Sequence, residues 1–380
     1  MDIYRELGVT PVINAAGSLT SYGGSIMPPE VTDAMARASR AFVDMQELHL
    51  AAGARIAELI GVEAAHVCAC ASAGIAVMAA ACMAGTDRER IRQLPDTTGM
   101  RNRFIVQRAH RNGFDQAVRV AGGELIEIDS DDGQLAQELE NPQTAAVYYT
   151  FAWFCPRDAL SLQQVAEMSH AKGLPVIVDA AAEVPPPINL RRFLDWGADL
   201  VTFSGGKSLR GPQSSGLILG RADLIEACRL NDCPNGSIGR PMKTDKEVIA
   251  GLVKAVELYM AKDHDLDLAM WDDRVAHIIT ALDGLDGVRV WRQMPHGIGQ
   301  QISHAAVSWD EAALGLTHEQ AAQALRDGDP RIVVQVINTP RYGFAGFTEK
   351  ELRVHPHALQ EGEERIVARR LREVLTGSVT

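Results

Sequence analysis

The sequence predicts an α/β fold: a mostly parallel sheet with helices on both faces, followed by a smaller α+β domain. Three observations predict it. From residue 66 to 220 short apolar runs alternate with helical periodicities, the pattern of strands joined by crossover helices. Two of those runs end on residues that carry chemistry or turns: Pro175–Val178 on Asp179, and Leu200–Phe203 on Ser204-Gly205-Gly206. The chain has 380 residues, enough for a large core and two domains.

Taken in order, Tyr4–Leu7 starts a short helix stopped by Gly8 and Pro11. Ala15–Gly24 is small, polar and glycine-rich, and reads either as a flexible arm or as an ordered loop lining a pocket. Glu30–Val43 carries Val31, Ala34, Met35 and Ala38 at helical spacing, and Asp44–Ile60 continues as helix until Gly61. His66–Cys70 is a short strand, Ala71–Gly74 a turn of small residues, and Ile75–Met83 an Ala-rich helix. Asp87–Asn102, polar with Pro95 and Gly99, is expected as a surface loop. Phe104–Val106 is a strand leading to His110-Arg111-Asn112-Gly113. A helix (Phe114–Ala121), a strand (Leu125–Ile128), an acidic turn (Asp129–Gly133) and a buried strand (Ala145–Thr150) follow.

Leu160–Lys172 is a helix capped by Gly173, Pro185–Pro187 a rigid connector, Leu190–Trp196 a short helix and Leu217–Leu219 one more strand. After the Asn231–Gly239 loop, Lys246–Met260 is a helix that continues or bends towards Leu282. Val288–Val290, Ala305–Val307, Ile332–Val334 and Glu351–Val354 read as strands, Thr317–Arg326 and Glu361–Leu375 as helices. The expected organisation is an N-terminal segment with helices (1–60), a large domain (61–245), a connecting helix (246–282) and a small C-terminal domain (283–380).

Apolar residues make up 46% and charged residues 23%, ordinary for a soluble globular protein. No apolar run approaches a membrane span. The N-terminus shows no basic region followed by an apolar core, so no secretory signal is expected. The six cysteines fit no disulfide framework, which favours a reduced, cytoplasmic setting. Net charge is −12 with no Lys/Arg-rich stripe, which argues against a nucleic-acid partner. Cys68-x-Cys70 is too tight for the usual zinc spacing, and His355-Pro-His357 has no second ligand pair, so no metal site is expected.

Lys207 lies on a glycine-flanked turn after a buried strand. Held away from water, such an amine loses pKa and becomes available for a Schiff base; left in water, it is an ordinary loop lysine. Asp179 stands 28 residues earlier at another strand end, where open α/β sheets bind ligands. A strand-end Asp with a strand-end Lys is the pairing that a pyridoxal phosphate (PLP) enzyme needs: the Lys carries the cofactor and the Asp keeps the pyridine nitrogen protonated. Asp179 could equally be a helix N-cap or an ordinary strand-end acid. The Ala71–Gly74 turn, leading into a helix, is either a phosphate site or a place of close helix–sheet packing. His110 either stacks on a flat cofactor ring or is a satisfied structural histidine.

Phe203–Gly216 (FSGGKSLRGPQSSG) with Val178–Phe193 (VDAAAEVPPPINLRRF) resembles the selenocysteine-synthase-like branch of fold type I PLP enzymes, in its D-glucosaminate-6-phosphate ammonia-lyase sub-branch. Arg108–Ile128, Val12–Thr20 and Gly239–Glu247 add to the likeness, which covers nearly the whole chain. The resemblance implies an aminotransferase-like large domain with a seven-stranded-type sheet. It implies Lys207 as the internal-aldimine lysine and Cα acid/base, and Asp179 as the partner of the pyridine nitrogen. His110 would stack on the ring, and Ser72, Ala73, Gly74 and Ser204 would contact the phosphate. Gly211, Pro212 and Gln213 sit where the family often reaches a neighbouring subunit, so a homodimer or larger assembly with shared sites is implied. Arg240 and Lys243 match basic positions that face an anionic substrate group, or else make surface salt bridges.

The expected chemistry is α,β-elimination on a small anionic amino acid or amino sugar acid. Racemisation, aldol cleavage and β-replacement use the same scaffold, and Arg353 or Arg331 is available for an α-carboxylate if the enzyme transaminates. A phosphate-ligand binding protein without catalysis is the alternative of another class. Selenocysteine synthases carry Asp directly before the Schiff-base lysine, whereas this chain has Gly206, starts almost at once on the VINAAG segment and is acidic. These departures weigh against a seryl-tRNA substrate.

Overall fold

The computed structural model describes residues 3–152, 155, 159–294, 299–338 and 350–378. Two compact units divide it, one formed by Ser25–Lys262 and the other by Met1–Gly24 with Asp263–Thr380. Packing therefore assigns residues 1–24 to the C-terminal unit and the helix ending at Ala261 to the large one, different from the boundaries expected at 60, 245 and 282.

The first strand, β1 (Ile13–Ala15), joins the sheet of the C-terminal unit. The large unit holds β2 (Ala64–Cys68), β3 (Arg103–Gln107), β4 (Glu124–Ile128), β5 (Thr144–Thr150), β6 (Val176–Asp179), β7 (Leu200–Ser204) and β8 (Gly216–Gly220). They form one seven-stranded sheet in the order β2-β8-β7-β6-β5-β3-β4. All neighbours from β7 to β4 run parallel; β8 alone runs against its two neighbours. The α/β class and the mostly parallel sheet match the sequence expectation. Every residue of β5, β6 and β8 is buried, as central strands covered on both faces must be.

Helices cover both faces. Ala71–Ala84 is apolar all round, with twelve of its fourteen residues buried. It begins four residues before Ile75, and the strand ahead of it stops at Cys68 rather than Cys70. Lys246–Ala261 is a separate helix, capped by Asp245; a new helix, His264–Leu282, starts from the Asp263 cap in the other unit.

Among the described residues of the large unit, three helices lie where none was expected. Arg88–Gln93 occupies the presumed surface loop, its start fixed by Asp87 accepting from the Glu89 and Arg90 N–H groups. Asp132–Leu139 starts within the expected acidic turn, capped by Asp131, and runs on beyond it. Ala222–Asn231 follows β8 directly. The expected Phe114–Ala121 helix is a 3-10 turn at Gly113–Asp115 and then Gln116–Val120.

In the C-terminal unit, β9 (Val288–Gln293), β10 (His304–Trp309), β11 (Ile332–Ile337) and β12 (Glu351–Val354) complete a five-stranded sheet, order β1-β11-β12-β10-β9. β1 pairs in parallel with β11, Ile13 opposite Ile332. The Ala15–Gly24 stretch is thus ordered at its start, and Asn14 steadies it by donating to the Gly17 carbonyl at 3.0 Å.

Candidate active site

At the carboxyl end of the parallel sheet, the ends of β6 and β7 and the start of the Ala71–Ala84 helix converge. β6 closes on Asp179, which is 6% exposed. Its Oδ1 accepts from the Ala181 N–H at 3.1 Å. Burial pushes the carboxyl pKa up, while the Ala181 N–H and the Lys207 amine pull it down.

β7 closes on Ser204, whose N–H donates to the Ala181 carbonyl at 3.1 Å and ties the two post-strand turns together. The Lys207 turn is closed by Arg210 N–H to the Lys207 carbonyl (2.9 Å), Gly211 N–H to the Gly205 carbonyl (2.8 Å) and Gly205 N–H to the Ser215 carbonyl (2.9 Å). Arg210 takes the left-handed conformation, φ +54°, held by its Nε–H donating to the Ile26 carbonyl at 2.9 Å. Gly206 has no room for a side chain: a Cβ would lie 2.5 Å from Gln213 Cα. Lys207 is half-buried, with its amine end desolvated; that lowers its pKa, and Asp179 followed by Glu183 acts to raise it.

The helix start is unusual. Cys70 is the N-cap, and its Sγ accepts from the Ala73 N–H at 3.3 Å. A sulfur is a weak acceptor where Ser, Thr, Asn or Asp would normally cap. The helix N-terminus therefore keeps its attraction for an anion. Cys68, Gly216 and Ser204 lie in one cross-strand row. A Cβ on Gly216 would stand 2.5 Å from the Cys70 carbonyl carbon, so the helix start rests directly on the sheet, one strand from Ser204. Ser72 is half-buried at this end. Gly74 is there for close packing: its N–H serves the Cys70 carbonyl at 2.8 Å, and a Cβ would lie 2.4 Å from Thr202 Oγ1.

His110 ends a 3-10 turn after β3 and is 1% exposed. Its ring meets Tyr149 edge-on, centroids 4.4 Å apart, and its Nδ1 is buried without a hydrogen-bond partner. Burial lowers its pKa to about 4, so the imidazole is neutral at pH 7. Gly211 packs where a Cβ would come 3.2 Å from Leu252 Cδ1, and Gln213 is exposed. Arg240 and Lys243 are exposed on the stretch between two helices. That stretch is anchored at its base by His66 Nε2 and Asp232 Oδ2, 2.9 Å apart and both buried.

Sequence reasoning missed two residues. Glu183 is 2% exposed and places a second carboxylate charge on Lys207. Its signal was an acid standing between Ala182 and Val184-Pro185, in an otherwise apolar stretch. Asn112 ties the His110 turn to β5 through side-chain bonds of 3.0 and 3.2 Å. A desolvated lysine, a buried carboxylate beside it, a weakly capped helix N-terminus and a buried imidazole nitrogen with no protein partner fit the amine-reactive, aromatic, phosphorylated cofactor PLP.

The comparisons agree. A family profile described as L-seryl-tRNA selenium transferase matches residues 157–274. The chain is 34% identical to a 5'-C-glycyluridine monooxygenase-decarboxylase of a Streptomyces species, over 98% of this chain and 92% of that protein. It is 33% identical to the D-glucosaminate-6-phosphate ammonia lyase of Salmonella typhimurium (strain 14028s / SGSC 2262), over 98% of each. A solved structure of D-glucosaminate-6-phosphate ammonia-lyase superposes with a TM-score of 0.82 at 32% identity, covering 99% of both chains. Serine palmitoyltransferase of Sphingomonas wittichii shares the fold, with a TM-score of 0.61 at 16% identity over 97% of this chain and 89% of that one.

Proposed function

This chain belongs to the selenocysteine-synthase-like family of fold type I PLP enzymes, and from that premise we propose that it catalyses α,β-elimination on a small anionic amino acid or amino sugar acid. The observation that carries the reading is Asp179, buried at the end of β6, with the Lys207 amine on the turn after neighbouring β7, at the end of the sheet where the weakly capped helix start rests.

PLP, when bound, supplies an electron sink for charge developed at Cα. Lys207 Nζ is the point of attachment, and its lowered pKa leaves it able to take the Cα proton and return it. Asp179 would hold the pyridine nitrogen protonated. His110, neutral, would lie against the cofactor ring without competing for charge. Ser72, Ala73 and the Ser204 hydroxyl would hold the phosphate, with Gly74 setting the helix close to β7. Arg240 and Lys243 attract the anionic group of the substrate from the solvent side. Gly211 and Gln213 belong to the turn that a second copy would reach.

Assembly into a homodimer or larger oligomer with shared sites is part of the proposal. It is supported by apolar side chains left in water on one stretch of the large unit, Phe42 fully exposed and Val43 and Leu50 at least half-exposed. A cytoplasmic location is proposed with it, and among the described residues no helix is long and apolar enough to cross a membrane.

The Streptomyces relative is a monooxygenase-decarboxylase at the same level of identity, which supports a second reading: oxidative decarboxylation on the same scaffold. One experiment tests both. The PLP-loaded protein is screened with 3-hydroxy amino acids and amino sugar acids while ammonia, 2-oxo acid, carbon dioxide and oxygen uptake are followed. Ammonia and 2-oxo acid without oxygen uptake support elimination; oxygen uptake with carbon dioxide moves the assignment to the second reading. A protein that shows no visible cofactor band with excess PLP would sink both and leave a phosphate-ligand binding protein.

A further inference from the structure

We propose that Asn112 is the positioning residue that sets the gap between the His110 ring and the Asp179 carboxylate. The proposal rests on the roles given above to His110 and Asp179.

The Asn112 side chain makes three contacts. Its Oδ1 accepts from the Phe114 N–H at 2.8 Å, which caps the Gly113–Asp115 turn. Its Nδ2 donates to the His110 carbonyl at 3.0 Å and to Thr150 Oγ1 at 3.2 Å. The amide orientation is fixed, because a flip would turn Oδ1 towards a carbonyl and Nδ2 towards an N–H. Thr150 is the last residue of β5, 1% exposed, and stands in register with Asp179 on β6. A short path therefore runs from Asp179 across one strand pair to Thr150, through Asn112, to the His110 backbone.

The path is braced at the far end. The Asn112 N–H donates to Asp115 Oδ2 at 3.2 Å, and the same oxygen accepts from Arg111 Nε at 2.5 Å. Asp115 is 1% exposed, so this brace is shielded from competing water. The His110 ring packs on Tyr149, the β5 neighbour of Thr150. Ring and backbone of His110 thus both take their position from β5. Removing Nδ2 leaves the turn capped but no longer hydrogen-bonded to β5, the strand that pairs with β6 at Asp179.

A mere capping role predicts something different, and the variants separate the two. Asn112→Asp keeps the cap acceptor and lacks the Nδ2 donor; Asn112→Ala lacks both. The readouts are PLP affinity of the apoprotein and the visible circular dichroism of the bound cofactor, which reports ring orientation. Both variants are expected to weaken PLP binding about tenfold, the scale of one lost buried hydrogen bond. The dichroic band is expected to fall, while Asn112→Asp still melts near wild type. The double variant His110→Ala/Asn112→Ala is expected to bind no worse than His110→Ala alone. PLP affinity within twofold of wild type in Asn112→Asp, with an unchanged dichroic band, overturns the proposal, as does strict additivity in the double variant. If His110→Ala itself stays within twofold, the reading of His110 fails and takes the proposal with it. If His110→Ala costs tenfold and Asn112→Asp nothing, the proposal alone fails.

Discussion

Asp179 ends β6 and Lys207 stands on the turn after the neighbouring parallel strand β7, and each offsets part of the other's desolvation: the carboxylate raises the amine's pKa, and the amine lowers the carboxyl's. For the amine, burial outweighs this help, and its pKa stays below the ordinary 10.5. Asp179→Asn removes the carboxylate that acts more strongly of the two that hold the proton on Lys207. The lysine should then deprotonate at lower pH, so the pH midpoint for addition of PLP to the apoprotein should move down. A midpoint that stays put or rises would show that the two groups are not coupled.

The same pair links pH to stability. Between its lowered pKa and 10.5, the folded chain binds fewer protons at Lys207 than the unfolded chain does. Apoprotein stability from this group therefore rises with pH across that window. Lys207→Met should flatten the rise. Urea midpoints of both apoproteins between pH 7 and pH 10, roughly the range in which lysine protonation changes, would show it. Parallel curves would contradict a desolvated amine.

His110 acts on the acid side. Its pKa falls from 6.5 to about 4 on burial, so the stability it contributes is present above 6.5 and is lost as pH drops towards 4. His110→Phe in the apoprotein should lose less stability over that interval, by roughly 2–3 kcal/mol. Equal acid sensitivity in denaturant titrations at several pH values would count against a buried neutral imidazole.

Gly216→Ala tests the seat of the helix N-terminus. The new methyl would lie 2.5 Å from the Cys70 carbonyl carbon, against the Cys70–Ala71 peptide backbone with no flexible side chain to yield. A cost of about 1–3 kcal/mol is expected, together with weaker PLP binding, because the helix start moves off β8. Normal PLP affinity in a folded Gly216→Ala protein would detach the helix start from the phosphate.

Asp199 supplies a control away from the chemistry. Buried at 4% exposure, it accepts from the Val176 N–H at 2.7 Å, from His170 Nε2 at 2.9 Å and from Arg221 at 2.9 Å. Asp199→Ala should cost about 3 kcal/mol or more in unfolding by urea. The visible band of PLP-loaded protein should be unchanged once folded.

Much of the site was legible in the chain because its residues sit where local patterns break. Apolar runs that end abruptly on Asp179 and on Ser204-Gly205-Gly206 are visible without a structure. Helix Arg88–Gln93 was hidden by Pro95 and Gly99 just beyond it, and Asp132–Leu139 by Gly133 in its first turn. In both cases an Asp N-cap overrode composition. Asn112 was invisible for another reason: its partner Thr150 ends β5, 38 residues further along the chain, and only folding brings it within 3.2 Å.

Every strand but β1, most helices, the α/β class, the strand-end aspartate and the lysine on the next turn were legible in the chain alone, because periodicity and glycine-bounded apolar runs act over a few residues. Tertiary structure alone decided the strand order, the assignment of Ile13–Ala15 to a sheet with Ile332, the seat of Cys70 on Gly216 and the desolvation of Lys207. Those features depend on backbone hydrogen bonds and close packing between residues far apart in the chain, and no local pattern encodes them.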